Sequence, residues 1–199
     1  MRRVAIIVLL SIATAAAADK DKAKFVPAPA ASYPGHQTAD KITIAAIPYT
    51  SEEQVVSAFD KVNPNRYGIL PVLVVIQNDT GKALALNLKT EFVDQQNHHL
   101  EPMPPADVVL YDGATRANWK VPGPSPIPLP RKNKKGPLNT WEIEGRAFSA
   151  RLVPPGESVH GFFYFEVANR PGSLLFLDGI KDAASGKDFL YFEVPLEGR

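Results

Sequence analysis

His98 and His99, with Glu101, Met103 and nearby Asp94, form the one local cluster of metal-ligand side-chain types in the chain. Adjacent histidines in a turn can reach a single ion, and a His/Met pairing suits copper. A closed site needs a spaced third ligand that one short turn does not supply, so the same residues also read as a solvated polar turn. Other chemistry has less footing. The chain has no cysteine, which excludes zinc–thiolate sites, thiol redox chemistry and cysteine nucleophiles. Gly-x-Ser-x-Gly, His-Glu-x-x-His and phosphate-cradling glycine loops are missing. Carboxylates such as Asp107, Asp112 and Glu142 are scattered. A hydrolase would have to be assembled by long-range folding, and no residue is assigned a catalytic role. No cofactor is called for.

Aromatic side chains offer binding chemistry instead. From Ser158 to Val167, Val159, Phe163, Phe165 and Val167 alternate with His160, Phe162, Tyr164 and Glu166. Near the C-terminus, Leu190, Phe192 and Val194 alternate with Phe189, Tyr191 and Glu193. A strand of a two-layer sandwich needs one apolar face, yet here the second face also carries Phe162, Tyr164, Phe189 and Tyr191. Left open, these four make an aromatic strip for a sugar, a peptide or a partner surface. Covered, they are core beneath short helices at 51–59 and 139–149. Arg131-Lys132-Asn133-Lys134-Lys135 is a basic knot suited to anionic envelope polymers or lipid head groups, or a solvated loop tip. It has no interleaved aromatics, so nucleic-acid binding is not expected.

The elements that would position these groups follow a leader. Arg2 and Arg3, the uncharged run Val4 to Ala15 and the small residues Ala15 to Ala18 read as a signal peptide over residues 1–18. The uncharged run is shorter than the roughly 20 residues of a membrane span, so no stable span is expected after cleavage, an uncleaved anchor being the rival reading. No cysteine follows it to accept a lipid. With Arg2 and Arg3 removed, 20 basic residues face 21 acidic ones, a net of −1. An exported chain without disulfides points to a bacterial periplasmic or extracellular protein stabilised by its core. Residues 19–40, rich in Ala, Pro and Lys, read as a flexible tether.

The domain is expected over 41–199. Lys41 to Ile47 alternates as a strand, and Thr50-Ser51-Glu52-Glu53-Gln54 starts a helix by hydroxyl capping with early acids. Ile69 to Ile76 is apolar on both faces, which predicts a covered strand. Asn78-Asp79-Thr80-Gly81 turns it into a second strand, with Leu84, Leu86, Leu88, Thr90 and Phe92 on one face. Val108 to Tyr111 reads as a short strand before a loop insert around 112–150, in which Asn139 to Ala150 reads as a helix. Five alternating prolines from Pro122 to Pro130 predict an extended, polyproline-like loop. Strands are expected at Ser158 to Val167, Ser173 to Leu177 and Asp188 to Leu196.

Two phrases carry a resemblance. Val74-Val75-Ile76-Gln77-Asn78-Asp79-Thr80-Gly81-Lys82-Ala83-Leu84-Ala85-Leu86 is a strand pair, and Val153 to Val167 is a proline/glycine turn followed by an aromatic strand. With the last hairpin they resemble exported bacterial proteins with an immunoglobulin-like β-sandwich domain. The resemblance implies a mainly β, antiparallel immunoglobulin-like β-sandwich with one or two short helices and a proline-rich loop. It lacks the cysteine pair and adds the helix and proline insert, so antibody-like binding is not implied. The expected function is a non-enzymatic binding or structural module of the cell envelope. Its partner would be an unknown protein or glycan, and its surface Phe162, Tyr164, Phe189 and Tyr191. The alternatives are a periplasmic copper-type protein using His98, His99 and Met103, or an unrecognised hydrolase.

Overall fold

The computed structural model describes residues 25–111 and 136–197. The expected signal peptide, the proline run and the basic knot lie outside them. Two antiparallel sheets pack face to face. The first contains β1 (His36–Ala39), β2 (Ile42–Pro48), β3 (Leu70–Asn78) and β7 (Ser158–Phe165), in the order β1-β2-β3-β7. The second contains β5 (His99–Leu100), β4 (Leu84–Val93), β8 (Leu174–Asp182) and β9 (Phe192–Pro195), in that order, with β6 (Leu152–Val153) also paired to β4. The described residues also form three short α-helices, α1 (Glu52–Phe59), α2 (Pro105–Leu110) and α3 (Trp141–Gly145), and two 3-10 turns at Ala30–Ser32 and Pro64–Tyr67. The fold is thus a mainly β, antiparallel sandwich. Among the described residues, no helix is long and apolar enough to cross a membrane.

The unusual composition of β3 follows from its place. Leu70, Val72, Val74 and Ile76 face the second sheet and meet Leu86, Phe92 and Leu177 there. Leu73 and Val75 face the other way, into a second core closed by Val55 and Phe59 of α1, Val108 of α2 and Ile143 of α3. The molecule therefore has three layers: helices, first sheet, second sheet. A strand with packing on both sides must be apolar at every position, so the period-two signal disappears from β3 and survives in β4. Helix α1 starts as its sequence requires. Ser51 Oγ accepts from the Gln54 N–H at 3.2 Å, and Gln54 Oε1 accepts from the Ser51 N–H at 3.1 Å.

Four expectations change. Residues 25–40 are not a tether: β1 pairs with β2 from His36↔Ala45 to Ala39↔Ile42, and Ala30 and Tyr33 are buried in the second core. The hairpin turns at Asp40 and Lys41, both at positive φ, a turn that the Asp-Lys pair does not advertise as Asn-Gly or Asp-Gly would. Val108 to Leu110 is the end of α2, not a strand. Pro105 at the first helical position, with Asp107 in the first turn, nucleates that helix. The helix expected over 139–150 stops at Gly145, after which Ala147 runs beside Phe162 of β7. Finally, β8 continues to Asp182, while regular pairing of β9 begins only at Phe192.

Asp182 closes the turn end of the sandwich. Lys82 Nζ lies 2.9 Å from its Oδ2, and its Oδ1 accepts from the N–H groups of Ser185 at 3.0 Å and Ala184 at 2.9 Å. The Lys82 ammonium, then these amides, hold the carboxyl well below its ordinary range. A carboxyl whose folded pKa is depressed adds stability above its unfolded value, about 3.9, and loses it as pH falls below that. Urea midpoints measured at pH 6 and pH 3 should therefore differ less in Asp182→Asn than in the wild type. An equal difference in both proteins would rule out this contribution.

Candidate binding surface

The four aromatics that alternate along the two C-terminal strands separate in the structure. Phe162 and Tyr164 belong to β7, whose outward side lies under the helices. Phe162 packs edge-on against Tyr49 with ring centroids 5.0 Å apart, and lies 4.8 Å from Phe59 of α1. The Tyr164 hydroxyl donates to the Ile143 carbonyl at 2.7 Å, and burial pushes its pKa up, so it stays protonated. These two are core, which corrects their expected place in a binding strip. The physical reason is the helical layer, whose apolar sides must be buried against some sheet face.

Phe189 and Tyr191 sit elsewhere, in the segment leading from β8 into β9 of the second sheet. Phe189 is half-buried and lines a cleft of about 580 Å³ at the turn end, with Leu190, Lys41, Lys82 and Lys187. The cleft is of mixed charge. Asp40 and Asp188 also line it, Lys82 pairs with Asp182, and Asp188 pairs with Lys181 at 3.0 Å. Leu190 is 71% exposed and Tyr191 54% exposed. The Tyr191 ring stacks on Phe176 of β8, with centroids 5.3 Å apart and planes 29° from parallel.

Phe176 is a surface residue that the sequence pattern did not single out. Its register places Glu91 of β4 on one side and Glu193 of β9 on the other. The outer face of the second sheet therefore holds an aromatic stack between two carboxylates. Such a surface can stack on a flat apolar ring or chain and accept hydrogen bonds at its borders. The signal was the alternation of Leu174, Phe176 and Asp178 against Leu175 and Leu177. That alternation, apart from Asp178, lies within the strand expected at Ser173 to Leu177, but which of its faces looks outward is set by the packing of Leu175 and Leu177 into the first core.

The metal-type cluster does not converge. His98 Nδ1 pairs with Asp94 Oδ2 at 3.0 Å, and His99 Nδ1 pairs with Glu91 Oε2 at 2.5 Å. The His98 N–H bonded to Asp94 is the largest cause holding that carboxyl below its usual range. Met103 packs against the second core, with its N–H donating to the Tyr164 carbonyl at 2.7 Å. Neighbouring residues of an extended strand point to opposite sides, so two adjacent histidines take separate carboxylates. Among the described residues, no group of three or more His, Cys, Asp or Glu is placed to hold a metal ion. Of the scattered carboxylates, Asp107 is exposed on α2, Glu142 is buried in α3, and Asp112 lies outside the described residues.

No protein-family model matches the chain, and no curated protein does. The crystal structure of the yjhA protein from Bacillus subtilis superposes with a TM-score of 0.44 at 11% sequence identity, over 82% of this chain and 97% of that one.

Proposed function

We propose that the protein is an exported, non-enzymatic binding or structural module of the cell envelope, periplasmic or extracellular, whose partner is an envelope protein or glycan. The observation that carries this reading is the Tyr191–Phe176 stack, left open beside the exposed Leu190. The first sheet had a comparable apolar outer face, and there the fold adds three helices to bury it. The second sheet keeps aromatic surface in solvent instead. Exposed stacked aromatics bordered by polar groups are a common composition for recognition surfaces. Export rests on the leader pattern of residues 1–18.

Two measurements test the proposal. Fractionation of producing cells, with mass spectrometry of the N-terminus, should find the protein outside the cytoplasm and lacking its first 17 or 18 residues. Retention on purified envelope fractions and a glycan array should fall at least tenfold in Tyr191→Ala, about 1.4 kcal/mol, while the melting temperature stays close to that of the wild type. Equal retention of Tyr191→Ala and wild type, or no retention of either, would reject this surface as the binding site.

A further inference from the structure

Among the described residues, the outer edge of β4 is paired at both ends and has no partner strand in the middle. At one end β6 pairs with Leu84 and Ala85, and the Leu86 N–H donates to the Arg151 carbonyl at 2.9 Å. At the other end β5 pairs with Phe92 and Val93, and the Asp94 N–H donates to the His98 carbonyl at 3.2 Å. Among the described residues, no strand pairs with residues 87–91 on that side. At about 3.3 Å per residue, this leaves roughly 16 Å of open edge. Alternation from Asp94 turns the N–H and C=O of Thr90 towards the gap, while Lys89 and Glu91 pair with β8 through Asp178 and Phe176.

A cleft of about 370 Å³ occupies the gap, lined by Leu88, Thr90, Pro102 and Phe163. Its apolar floor is held in place, since Phe163 stacks on Phe148 with centroids 5.2 Å apart. Thr90 is 5% exposed, and its Oγ1 is buried with no hydrogen-bond partner among the described residues. Lys89 and Glu101 also line the cleft, and neither has an ion pair among the described residues.

We infer that this gap is a docking site for an extended peptide segment of a protein partner, added to the second sheet as one more short strand. Its backbone completes the row of hydrogen bonds that β6 and β5 begin on the same edge. Alternate side chains are apolar and face Leu88 and Phe163, and the others include an acidic residue for Lys89 and a basic one for Glu101. The site goes beyond the proposed envelope-binding function; it shares Glu91 with the border of the Tyr191–Phe176 stack and uses neither of the stacked rings.

Amide hydrogen exchange on the full chain gives the first test. Thr90 should exchange fast, while Lys89 and Glu91, paired to β8, exchange slowly; a slow Thr90 amide would overturn the inference. A displayed library of linear heptapeptides, selected on the full chain, then serves as the probe. Selected peptides should shift the NMR signals of Thr90, Leu88 and Phe163, leave Tyr191 unchanged, and lose at least tenfold in affinity when methylated at alternate backbone nitrogens. Lys89→Glu should weaken them at least fivefold with an unchanged melting temperature. No selected peptide, shifts confined to Phe176 and Tyr191, or indifference to N-methylation would each overturn it, as would a glycan oligomer that alone shifts Thr90.

Discussion

Asn78→Ala is expected to lower the free energy of unfolding by about 3 kcal/mol, among the largest effects a single polar truncation produces. Asn78 is fully buried at the end of β3. Its Nδ2 donates towards three carbonyls: Lys82 at 2.7 Å, Val153 at 3.0 Å and Pro154 at 3.0 Å. Its Oδ1 accepts from the Thr80 N–H at 3.1 Å and the Thr80 hydroxyl at 2.7 Å. One amide thus ties the turn between β3 and β4 to the strand entering from β6. Alanine removes every one of these partners and leaves buried backbone groups unpaired. Asn78→Asp should be worse, because it sets a carboxylate oxygen against the same carbonyls. Urea unfolding at neutral pH should rank wild type above alanine and alanine above aspartate. An alanine variant within 1 kcal/mol of wild type would show that water replaces the amide.

The second large effect is Gly179→Ala. Gly179 has φ +90, a backbone region that costs other residues about 1–2 kcal/mol. A Cβ there would stand 2.1 Å from the Asn87 carbonyl oxygen and 2.9 Å from its carbon. The contact lies where β4 carries its bulge, between Leu86 and Lys89 opposite Ile180 and Asp178. Backbone on both sides leaves no flexible side chain to move aside, so overpacking adds about 1–3 kcal/mol. The total expected loss is about 3 kcal/mol. Gly186→Ala is the internal control: its φ is +70, but nothing lies within 4 Å of the added Cβ. It should cost about 1 kcal/mol from conformation alone. Equal unfolding midpoints for the two variants would mean that the bulge yields, and that the close approach to Asn87 is not structural.

Much of the scaffold is legible in the amino-acid order. The run from Ile69 to Ile76 reads as a strand covered on both sides, and β3 is such a strand from Leu70 onward. The Asn78 to Gly81 turn, the alternation of β4 and the Ser51/Gln54 cap all form where local chemistry puts them. These are short-range properties: side-chain period, turn residues and hydrogen bonds over three or four positions. Residues 36–39 and 105–110 depart from the expected pattern for different reasons: β1 is one arm of a tight hairpin whose turn residues, Asp40 and Lys41, both take positive φ without a glycine to signal it, whereas α2 is held by packing against residues distant in sequence. The β1 strand exists because β2 offers it an edge, and α2 begins on a pair of prolines and buries Val108 against the helical layer.

The site was less legible, and the reason is geometric. Alternation along Ser158 to Val167 and along Phe189 to Val194 correctly showed that both faces carry aromatic residues. It could not say that the first strand belongs to a sheet roofed by helices while the second lies on the open outer face of the other sheet. The Tyr191–Phe176 stack joins β8 to the segment before β9, and the gap beside Thr90 is bounded by β6 and β5. The sequence by itself determined the strands of β3, β4 and β7, the Asn78 to Gly81 turn between the first two, and that the core must hold without disulfides. Only the tertiary structure decided which apolar face is covered and which edge is left unpaired, because both depend on long-range pairing that no local periodicity encodes.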